Sequence, residues 1–294
     1  GGNVPVLLPR QLMPLKTEIM EWWSRHNMDL NWRTPHLEFE KGTWEYFRET
    51  DRRWFMWTRP FLHVRYPLLH KVIDMKRLAG KRVLDVGCGV GTMFEQLSAL
   101  GADVTSIDLA PQHAMLTAAR ARLFNLKGRV FQADAERLPF AGESFDFVYS
   151  WGVLHHTLNT AQAINEIHRV LRPSGGVFLM VYHRHSVHYW YNKMFKWGVV
   201  RLKFLTMNAQ QIANRSSDGV LYGGNPLSQY FSLAEMRRML DKFVDVRLML
   251  TGHADTIRNL PVKSIPLGKV VPVRLAERVM RRLGHLMIIT GRKP

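Results

Sequence analysis

The chain has 294 residues, 46% of them hydrophobic and 11% aromatic, which suffices for a globular protein with a sizeable core. Its single cysteine, Cys88, excludes an internal disulfide framework and a metal site built from several cysteines. No stretch approaches the roughly 18–20 apolar residues of a membrane-spanning helix, and no signal peptide opens the sequence. We therefore expect one main domain with appendages, in the cytoplasm or held peripherally at the inner surface of the membrane.

The formal net charge of +17 is unevenly distributed along the chain. No acidic residue lies between Glu166 and Asp218, and only Glu277 is acidic after Asp255. Such an excess of positive charge favours an anionic substrate, an anionic membrane surface or nucleic acid as a partner. A basic surface that is merely solvated has the same composition, so charge alone does not choose among these.

Residues 1–80 are predicted to form a helical cap. Six of the nine tryptophans lie in this region. Trp44, Phe47 and Trp54 follow helical spacing, which gives apolar faces able to pack over a cleft. Most of these aromatic side chains are expected to be core contacts, and a few to line a substrate wall. The candidate helices cover 15–26, 37–57 and 61–75.

The most informative motif is the run VLDVGCGVG, which begins at Val83 and joins a short apolar strand to a helix-like segment. Gly87, Gly89 and Gly91 lack a Cβ, so the backbone there can turn sharply and come close to a ligand. The spacing is GxGxG rather than the GxGxxG of dinucleotide folds, and Asp85 stands two residues before the first glycine. The motif predicts a loop that binds a nucleoside-containing cofactor.

Four further strand-like segments follow, and the residues at their ends support a cofactor site. Segment 104–107 leads directly into Asp108, about twenty residues after the glycines. A carboxylate at this position can accept hydrogen bonds from both hydroxyls of a ribose. An NAD-binding fold offers the same feature. Segment 130–132 leads to Asp134, for which dinucleotide folds have no fixed counterpart. The remaining two segments cover 146–150 and 177–182, and the alternation with helices predicts a doubly wound parallel sheet.

Over residues 81–182 these features resemble the core of class I S-adenosylmethionine-dependent methyltransferases, typified by the ubiquinone and menaquinone enzymes. The resemblance implies an α/β, Rossmann-like, doubly wound sheet of seven strands with an antiparallel last strand, plus a helical N-terminal cap and lid insertions. It also implies S-adenosyl-L-methionine as the cofactor and S-adenosylhomocysteine as the product.

The same resemblance assigns roles around the cofactor. Asp85 is expected to orient the loop and the cofactor ammonium, Asp108 to bind the ribose, and Asp134 to accept from the adenine amino group. The residues expected to flank the adenine are Leu109 and Ala135, and those expected to present backbone to the methionine end are Ser150 and Trp151.

Residues 231–294 are expected to complete the sheet. Ser232 and Glu235 stand at capping-box spacing, which predicts a helix that leads into a sixth strand over 244–250. The last strand is expected over 285–293, and the resemblance places it antiparallel beside the fifth strand and paired with the sixth.

Two insertions, over 183–230 and 252–284, are expected to act as lids and to recognise the acceptor. Each contains a basic amphipathic segment, which can cover an apolar substrate or lie at a membrane interface. The apolar positions at helical spacing are Val187, Trp190, Tyr191, Met194, Trp197 and Leu205 in the first insertion, and Leu275, Val279, Leu283 and Leu286 in and after the second.

His155 and His156 follow the fourth strand, at the edge where open sheets of this kind bind ligands, so each is a candidate general base. His183 follows the fifth strand and is the third catalytic candidate. No HExxH-like spacing or acidic pair accompanies these histidines, so no metal is expected. The candidate substrate contacts are Tyr182, Arg184, His185 and His188, and Arg184 is suited to a carboxylate or phosphate.

These observations favour a methyltransferase that acts on a small or medium-sized organic acceptor at oxygen, carbon or nitrogen. The amphipathic insertions suggest the alternative of a lipid-like or quinone precursor methylated at the membrane. The charge suits an RNA methyltransferase, but no RNA-binding appendage is recognisable, so nucleic acid is disfavoured. A binding protein for S-adenosylmethionine without transferase activity is a further interpretation, and the acceptor and the oligomeric state stay open.

Overall fold

The computed structural model describes residues 9–26, 38–62, 74–258, 260 and 270–294. The helix predicted over 61–75 lies largely outside these residues, as does part of the 252–284 insertion. Among the described residues, no helix combines the length and the apolar character that crossing a membrane requires.

A seven-stranded mixed sheet forms the centre of the fold. Its strands are β1 Arg82–Val86, β2 Asp103–Asp108, β3 Arg129–Gln132, β4 Phe145–Trp151, β5 Leu171–Tyr182, β6 Val244–Thr251 and β7 Leu286–Arg292. The spatial order is β3-β2-β1-β4-β5-β7-β6. The first five strands are parallel, and β7 is antiparallel to both β5 and β6. The fold class predicted from the sequence is therefore confirmed, including the antiparallel last strand.

The helices connect the strands and cover both faces of the sheet. They are α1 Pro9–Arg25, α2 Trp44–Leu62, α3 Thr92–Ala99, α4 Pro111–Leu123, α5 Thr160–Val170, α6 Ala209–Arg215, α7 Leu233–Met239, α8 Asp255–Arg258 and α9 Val273–Leu283, with a π-helical segment over His188–Val200. The predicted capping box opens α7, because the amide of Glu235 donates to Ser232 and the amide of Ser232 donates to Glu235.

Alternate residues of the central strands point to opposite faces of the sheet and build two separate cores. On one face, Leu84 and Val86 of β1 pack in a cluster that includes buried residues of α5 and α7. On the other face, Val83 of the same strand packs with Phe94 and Leu97 of α3. Burial on both faces is typical of parallel strands covered by helices on each side.

A buried ion-pair cluster fixes the cap to the core. Arg120 of α4 is fully buried and pairs with Asp51 of α2 and with Glu95 of α3. Arg48 of α2 also reaches Glu95, at 2.8 Å. Because a buried charge is tolerated only when it is paired, the cluster holds the three helices in one arrangement beside the carboxyl ends of the strands.

The predicted apolar stripe of the first insertion is wrong in part. Met194 is buried with Ile212 and Tyr230, but Trp190 is 54% exposed, and Leu205 lies beyond the helical segment and is 79% exposed. The segment is π-helical, so its turns take up more residues than the α-helical spacing assumes, and the positions fall out of line.

The stripe predicted for the second insertion is also rotated. The buried residues of α9 are Ala276 and Met280, whereas Leu275 and Leu283 are exposed. Leu286 is buried, but it belongs to β7 and not to the helix. The side of α9 that packs on the sheet is therefore the one that carries Ala276 and Met280, next to the predicted side. Leu275 and Leu283 lie among the exposed arginines of the helix.

Candidate active site

A cleft opens at the carboxyl ends of β1, β2 and β4 and is covered by residues of α1 and α2. The predicted site residues that line it are Asp85, Gly87, Gly89, Asp108, Leu109, Asp134, Ala135, Trp151, His156 and Tyr182. Sequence reasoning had not singled out further lining residues, among them Lys16, Trp23, His113, Glu136, Met180 and Asp218. The cleft therefore combines the predicted cofactor loop with side chains from distant parts of the chain.

The three glycines of the loop have different structural roles. All have positive φ, which other residues adopt only with strain. A Cβ at Gly87 would overlap the side chain of Val153, whereas a Cβ at Gly89 would meet no atom of the described residues within 4 Å. Gly91 precedes the first residue of α3 as its N-cap. Gly87 and Gly91 are therefore needed for the packing and the backbone conformation of the chain itself. Gly89, by contrast, leaves the backbone open toward the cleft.

Asp108 is tied into the glycine loop by hydrogen bonds. The amide of Gly89 donates to its Oδ2 at 3.0 Å, and the amide of Ala110 donates to its Oδ1 at 2.9 Å. Burial alone would raise the pKa of Asp108, but the neighbouring His113, 3.3 Å away, and the two amides outweigh it and lower the pKa. The carboxylate is therefore charged and held at the edge of the cleft.

Asp85 lies deeper, at the end of β1, and is 1% exposed. Burial raises its pKa to about 7, with the charge of Asp108 adding to the rise and a hydrogen bond from Ser106 opposing it. A cationic group entering the cleft would favour the charged form of this carboxyl.

Lys16 of α1 crosses the cleft to two acidic residues after β3. Its Nζ donates to Asp134 at 2.6 Å and to Glu136 at 2.9 Å. Burial lowers the pKa of Lys16, but the hydrogen bonds to both carboxylates outweigh it and leave the pKa raised. Glu136 also accepts from the amide of Leu158, at 2.7 Å. These contacts hold α1 over the strand ends.

Another part of the cleft lining is aromatic. Trp54 and Trp151 lie with ring centroids 6.1 Å apart, and the ring of Trp23 lies 4.9 Å from that of His156. Trp57, Met180 and Tyr182 complete this wall. Flat apolar surfaces of this kind suit an aromatic ligand.

His156 borders this aromatic lining, and both of its nitrogens have partners. Nδ1 contacts the carbonyl of Leu227 at 2.5 Å, and Nε2 lies 3.3 Å from Oδ2 of Asp218. The hydroxyl of Tyr182 donates to the same carboxylate, with distances of 2.9 and 2.8 Å to its two oxygens. His156, Tyr182 and Asp218 thus form one hydrogen-bonded group at the cleft.

His155 lies behind this group and does not line the cleft. It is fully buried, its ring nitrogens have no hydrogen-bond partner among the residues that the structure describes, and burial holds its pKa well below the usual range. Nitrogen and oxygen atoms of His155, His156 and Asp218 lie within 4.8 Å of one another. Since both nitrogens of His156 already have partners, we treat this as a hydrogen-bonded cluster.

The remaining predicted residues lie outside the lining of the cleft. Ser150 is buried and donates to the carbonyl of Val86. Nδ1 of His183 contacts the carbonyl of Gly284 at 3.0 Å, and Arg184 pairs with Glu235 at 3.0 Å. His185 is exposed, and His188 is half-buried beside Asn192.

Comparison with known proteins agrees with this geometry. Residues 84–179 match the family described as a methyltransferase domain. The ubiquinone biosynthesis O-methyltransferase of Aromatoleum aromaticum is 38% identical over 144 residues, which cover 47% of this chain and 61% of that protein. The corresponding enzyme of Dechloromonas aromatica is 35% identical over 162 residues, 52% of this chain and 68% of that protein. The first alignment thus spans less than two thirds of the relative's length.

Solved structures show the same fold. A SAM-dependent methyltransferase from Methanosarcina mazei has a TM-score of 0.52 at 19% identity and covers 78% of this chain and 98% of that one. An S-adenosylmethionine-dependent methyltransferase from Mesorhizobium loti has a TM-score of 0.50 at 17% identity, with 78% and 97% covered. The chain belongs to the methyltransferases, since it matches the methyltransferase domain and spans about two thirds of the length of the Dechloromonas aromatica enzyme.

Proposed function

We propose that the protein transfers the methyl group of S-adenosylmethionine to the oxygen of a small phenolic acceptor. The observation that carries the proposal is one cleft that is lined both by the glycine loop with its acidic residues and by an aromatic wall with His156. The relatives are named as O-methyltransferases of ubiquinone biosynthesis, which supports oxygen as the methylated atom.

The cofactor end of the cleft has the chemistry that S-adenosylmethionine requires. Gly89 leaves the backbone open to the methionine portion, and the N-terminus of α3 favours its carboxylate. We assign the ammonium to Asp85, the ribose to Asp108 and the adenine amino group to Asp134. We assign Leu109 and Ala135 to the two sides of the adenine ring, and the backbone of Trp151 to the methionine end.

The bound sulfonium supplies a methyl carbon that is already activated for in-line displacement. The protein's own contribution is position, because the tryptophans hold a flat acceptor and exclude water from it. As the oxygen–carbon bond forms, the carbon–sulfur bond breaks with its electron pair left on sulfur, and the acceptor hydroxyl loses its proton. We assign that proton to His156, the candidate histidine that lines the cleft, which requires that the acceptor hydroxyl take the place of Asp218 at Nε2.

The test is turnover with S-adenosylmethionine and a panel of phenols, carboxylic acids and quinone precursors, followed by release of S-adenosylhomocysteine in mass spectrometry. We expect turnover with phenols. His156→Ala should keep its cofactor affinity while kcat falls about 100-fold or more, and His168→Ala, on α5 away from the cleft, should leave both unchanged. Tight cofactor binding with no turnover on any phenol would reject the proposal in favour of a macromolecular acceptor or a non-catalytic binder.

A lipid-like or quinone precursor taken from the membrane is the second candidate. It rests on a surface of the first insertion, where large apolar side chains are exposed near Lys196, Arg201 and Lys203 in the sequence. These side chains are Trp190, Phe195, Val199, Val200, Leu202, Phe204 and Leu205. Exposed apolar residues among cations suit the anionic inner surface of a membrane.

Flotation with anionic liposomes tests this second candidate. We expect wild-type protein to float at low salt, and Leu205→Ser combined with Trp190→Ser to float less, with Val244→Ser on the edge strand β6 as the control. Wild-type protein that stays at the bottom of the gradient at low salt would rule out the interfacial version.

A further inference from the structure

A tyrosine of β4 lies beside Asp85 in the sheet and lines the same cleft. Tyr149 is the register partner of Asp85 on one side, and Ser106 of β2 is its partner on the other. Register partners in parallel strands project from the same face of a sheet, so these three polar side chains form one row across β2, β1 and β4. Asp85 and Tyr149 both line the cleft. The row therefore brings a carboxyl and a phenol hydroxyl to the cleft side by side.

The hydroxyl of Tyr149 is buried and unpaired. The residue is 2% exposed, and its Oη has no hydrogen-bond partner within the described part of the chain. Burial, and then the charge of Asp85, raise the pKa of Tyr149 well above its usual value, so the hydroxyl keeps its hydrogen. A buried polar group without a partner is costly, which makes this hydroxyl a candidate for contact with a ligand.

Packing holds the ring of Tyr149 in place. The ring stacks on that of Phe178 of β5, with centroids 5.5 Å apart and planes inclined by 4°. Phe178 is fully buried and stacks in turn with Trp151, which lines the cleft. Because a closely packed ring has little freedom to turn its hydroxyl toward another partner, the sheet sets the position of Oη.

The neighbouring polar groups of the lining differ from Tyr149. Thr50 and Thr92 also line the cleft, but each hydroxyl already donates its hydrogen inside the protein, at 2.7 Å. Ser106 donates to Oδ2 of Asp85 at 2.8 Å. A carboxylate has room for about four hydrogen bonds, so Asp85 can accept from a ligand as well. Among these residues, Asp85 and Tyr149 are the two with capacity for a ligand.

A carboxyl beside a neutral hydroxyl suits a cationic donor. Oxygens of both groups accept hydrogen bonds, and an ammonium group has three hydrogens to donate. A cation also favours the charged form of Asp85, whose pKa is otherwise raised to about 7 by burial. The cation that the proposed function assigns to Asp85 is the ammonium in the methionine portion of S-adenosylmethionine.

We propose that Tyr149 is a cofactor-binding residue, whose hydroxyl accepts a hydrogen bond from the ammonium of S-adenosylmethionine beside Asp85. The proposal rests on the proposed function and extends the cofactor site to a residue of β4 that the sequence did not single out. Tyr149 exchanges no proton in this scheme, so its effect lies in cofactor affinity.

The first test is calorimetric titration of Tyr149→Phe with three ligands that differ in the amino-acid portion. S-Adenosylmethionine has the ammonium and the carboxylate, its decarboxylated form has the ammonium alone, and 5′-methylthioadenosine has neither. We expect Kd to rise about tenfold or more for the first two ligands, because a hydrogen bond from a charged group is lost, and less than about twofold for the third. Tyr189→Phe, a half-buried tyrosine outside the lining, is the matched control and should change none of the three.

Each other pattern contradicts the proposal. A loss confined to S-adenosylmethionine would place the hydroxyl on the carboxylate, and an equal loss for all three ligands would show a structural role. Unchanged affinity in Tyr149→Phe, with clear binding by the wild type, would overturn this inference alone. Wild-type protein that binds none of the three ligands would overturn the proposed function and this inference with it.

The second test asks whether Tyr149 and Asp85 bind the same group. In an Asp85→Asn background, Tyr149→Phe should raise the Kd for S-adenosylmethionine by less than about threefold, because groups that share a partner are not additive. A loss as large as in the wild-type background would overturn the proposal.

Thermal unfolding of the ligand-free protein separates binding from packing. Since the hydroxyl that is removed has no partner in the described part of the chain, the unfolding temperature of Tyr149→Phe should stay within about 3 °C of the wild type or rise. A larger fall would show that the hydroxyl is needed for the fold and would overturn its assignment to the cofactor.

Discussion

Gly89→Ala separates what the glycine loop does for the cofactor from what it does for the fold. Gly89 has φ of 55°, so alanine there costs about 1–2 kcal/mol of backbone strain. Within the described part of the chain the added Cβ meets no atom within 4 Å, so no clash there adds to this cost. It projects from a residue that lines the cleft. An overpacked contact with the cofactor costs about 1–3 kcal/mol, which is a rise in Kd of about 5- to 150-fold.

The assay is calorimetric titration with S-adenosylmethionine beside thermal unfolding. Gly80→Ala is the matched control, since Gly80 has φ of 71° and a Cβ there meets no atom of the residues described by the structure within 4 Å. Gly80 precedes β1, at the amino end of the strand and away from the cleft. Both variants should lose similar stability, and Gly89→Ala alone should lose affinity. Equal affinity in the two variants would refute the assignment of Gly89 to the cofactor.

Three further predictions concern the carboxylates and the buried arginine. Asp108→Ala should raise the Kd for S-adenosylmethionine about 100-fold in calorimetry, because two hydrogen bonds to a charged group are lost; an affinity near that of the wild type would contradict this role. The pKa of Asp85, raised to about 7, makes cofactor affinity rise about tenfold between about pH 5.5 and 7 as the carboxyl ionises, whereas Asp85→Asn should show a flat profile. Because that folded-state pKa exceeds the ordinary one, the contribution of Asp85 to stability is present below about pH 4 and is lost as the pH rises through about 7. Arg120→Met leaves Asp51 and Glu95 buried with the partly exposed Arg48 in place of two cationic partners, so unfolding in urea should show a loss of up to about 3–5 kcal/mol, and a loss below about 1 kcal/mol would show that Arg120 is not needed.

The parts of the site that sequence predicts well are those fixed by local chain geometry. Gly87 and Gly89 follow β1 directly, and Asp108 is the last residue of β2. Neighbouring parallel strands bring such residues to one edge of the sheet, so their convergence follows from the strand order alone. The placement of the last strand beside the fifth came from the family resemblance, because strand pairing between distant segments has no signal in composition or periodicity.

The parts that sequence missed depend on long-range packing. Lys16 reaches Asp134 across 118 residues of chain, and Asp218 reaches Tyr182 across 36. Asp218 did carry a signal, as an isolated acid that ends a long basic segment, but its partners could not be known before the insertion was placed. The apolar stripe of the first insertion failed for a different reason, since a π-helical segment breaks the spacing on which such predictions rest.

The most direct test of the account is methyl transfer itself. Protein, S-adenosylmethionine carrying a labelled methyl group and a simple catechol or phenol are incubated, and the acceptor is analysed by NMR. The account predicts one labelled methyl group on the acceptor oxygen, released together with S-adenosylhomocysteine and lost in His156→Ala. A label found on carbon or nitrogen, or an unlabelled acceptor despite saturating cofactor, would contradict it.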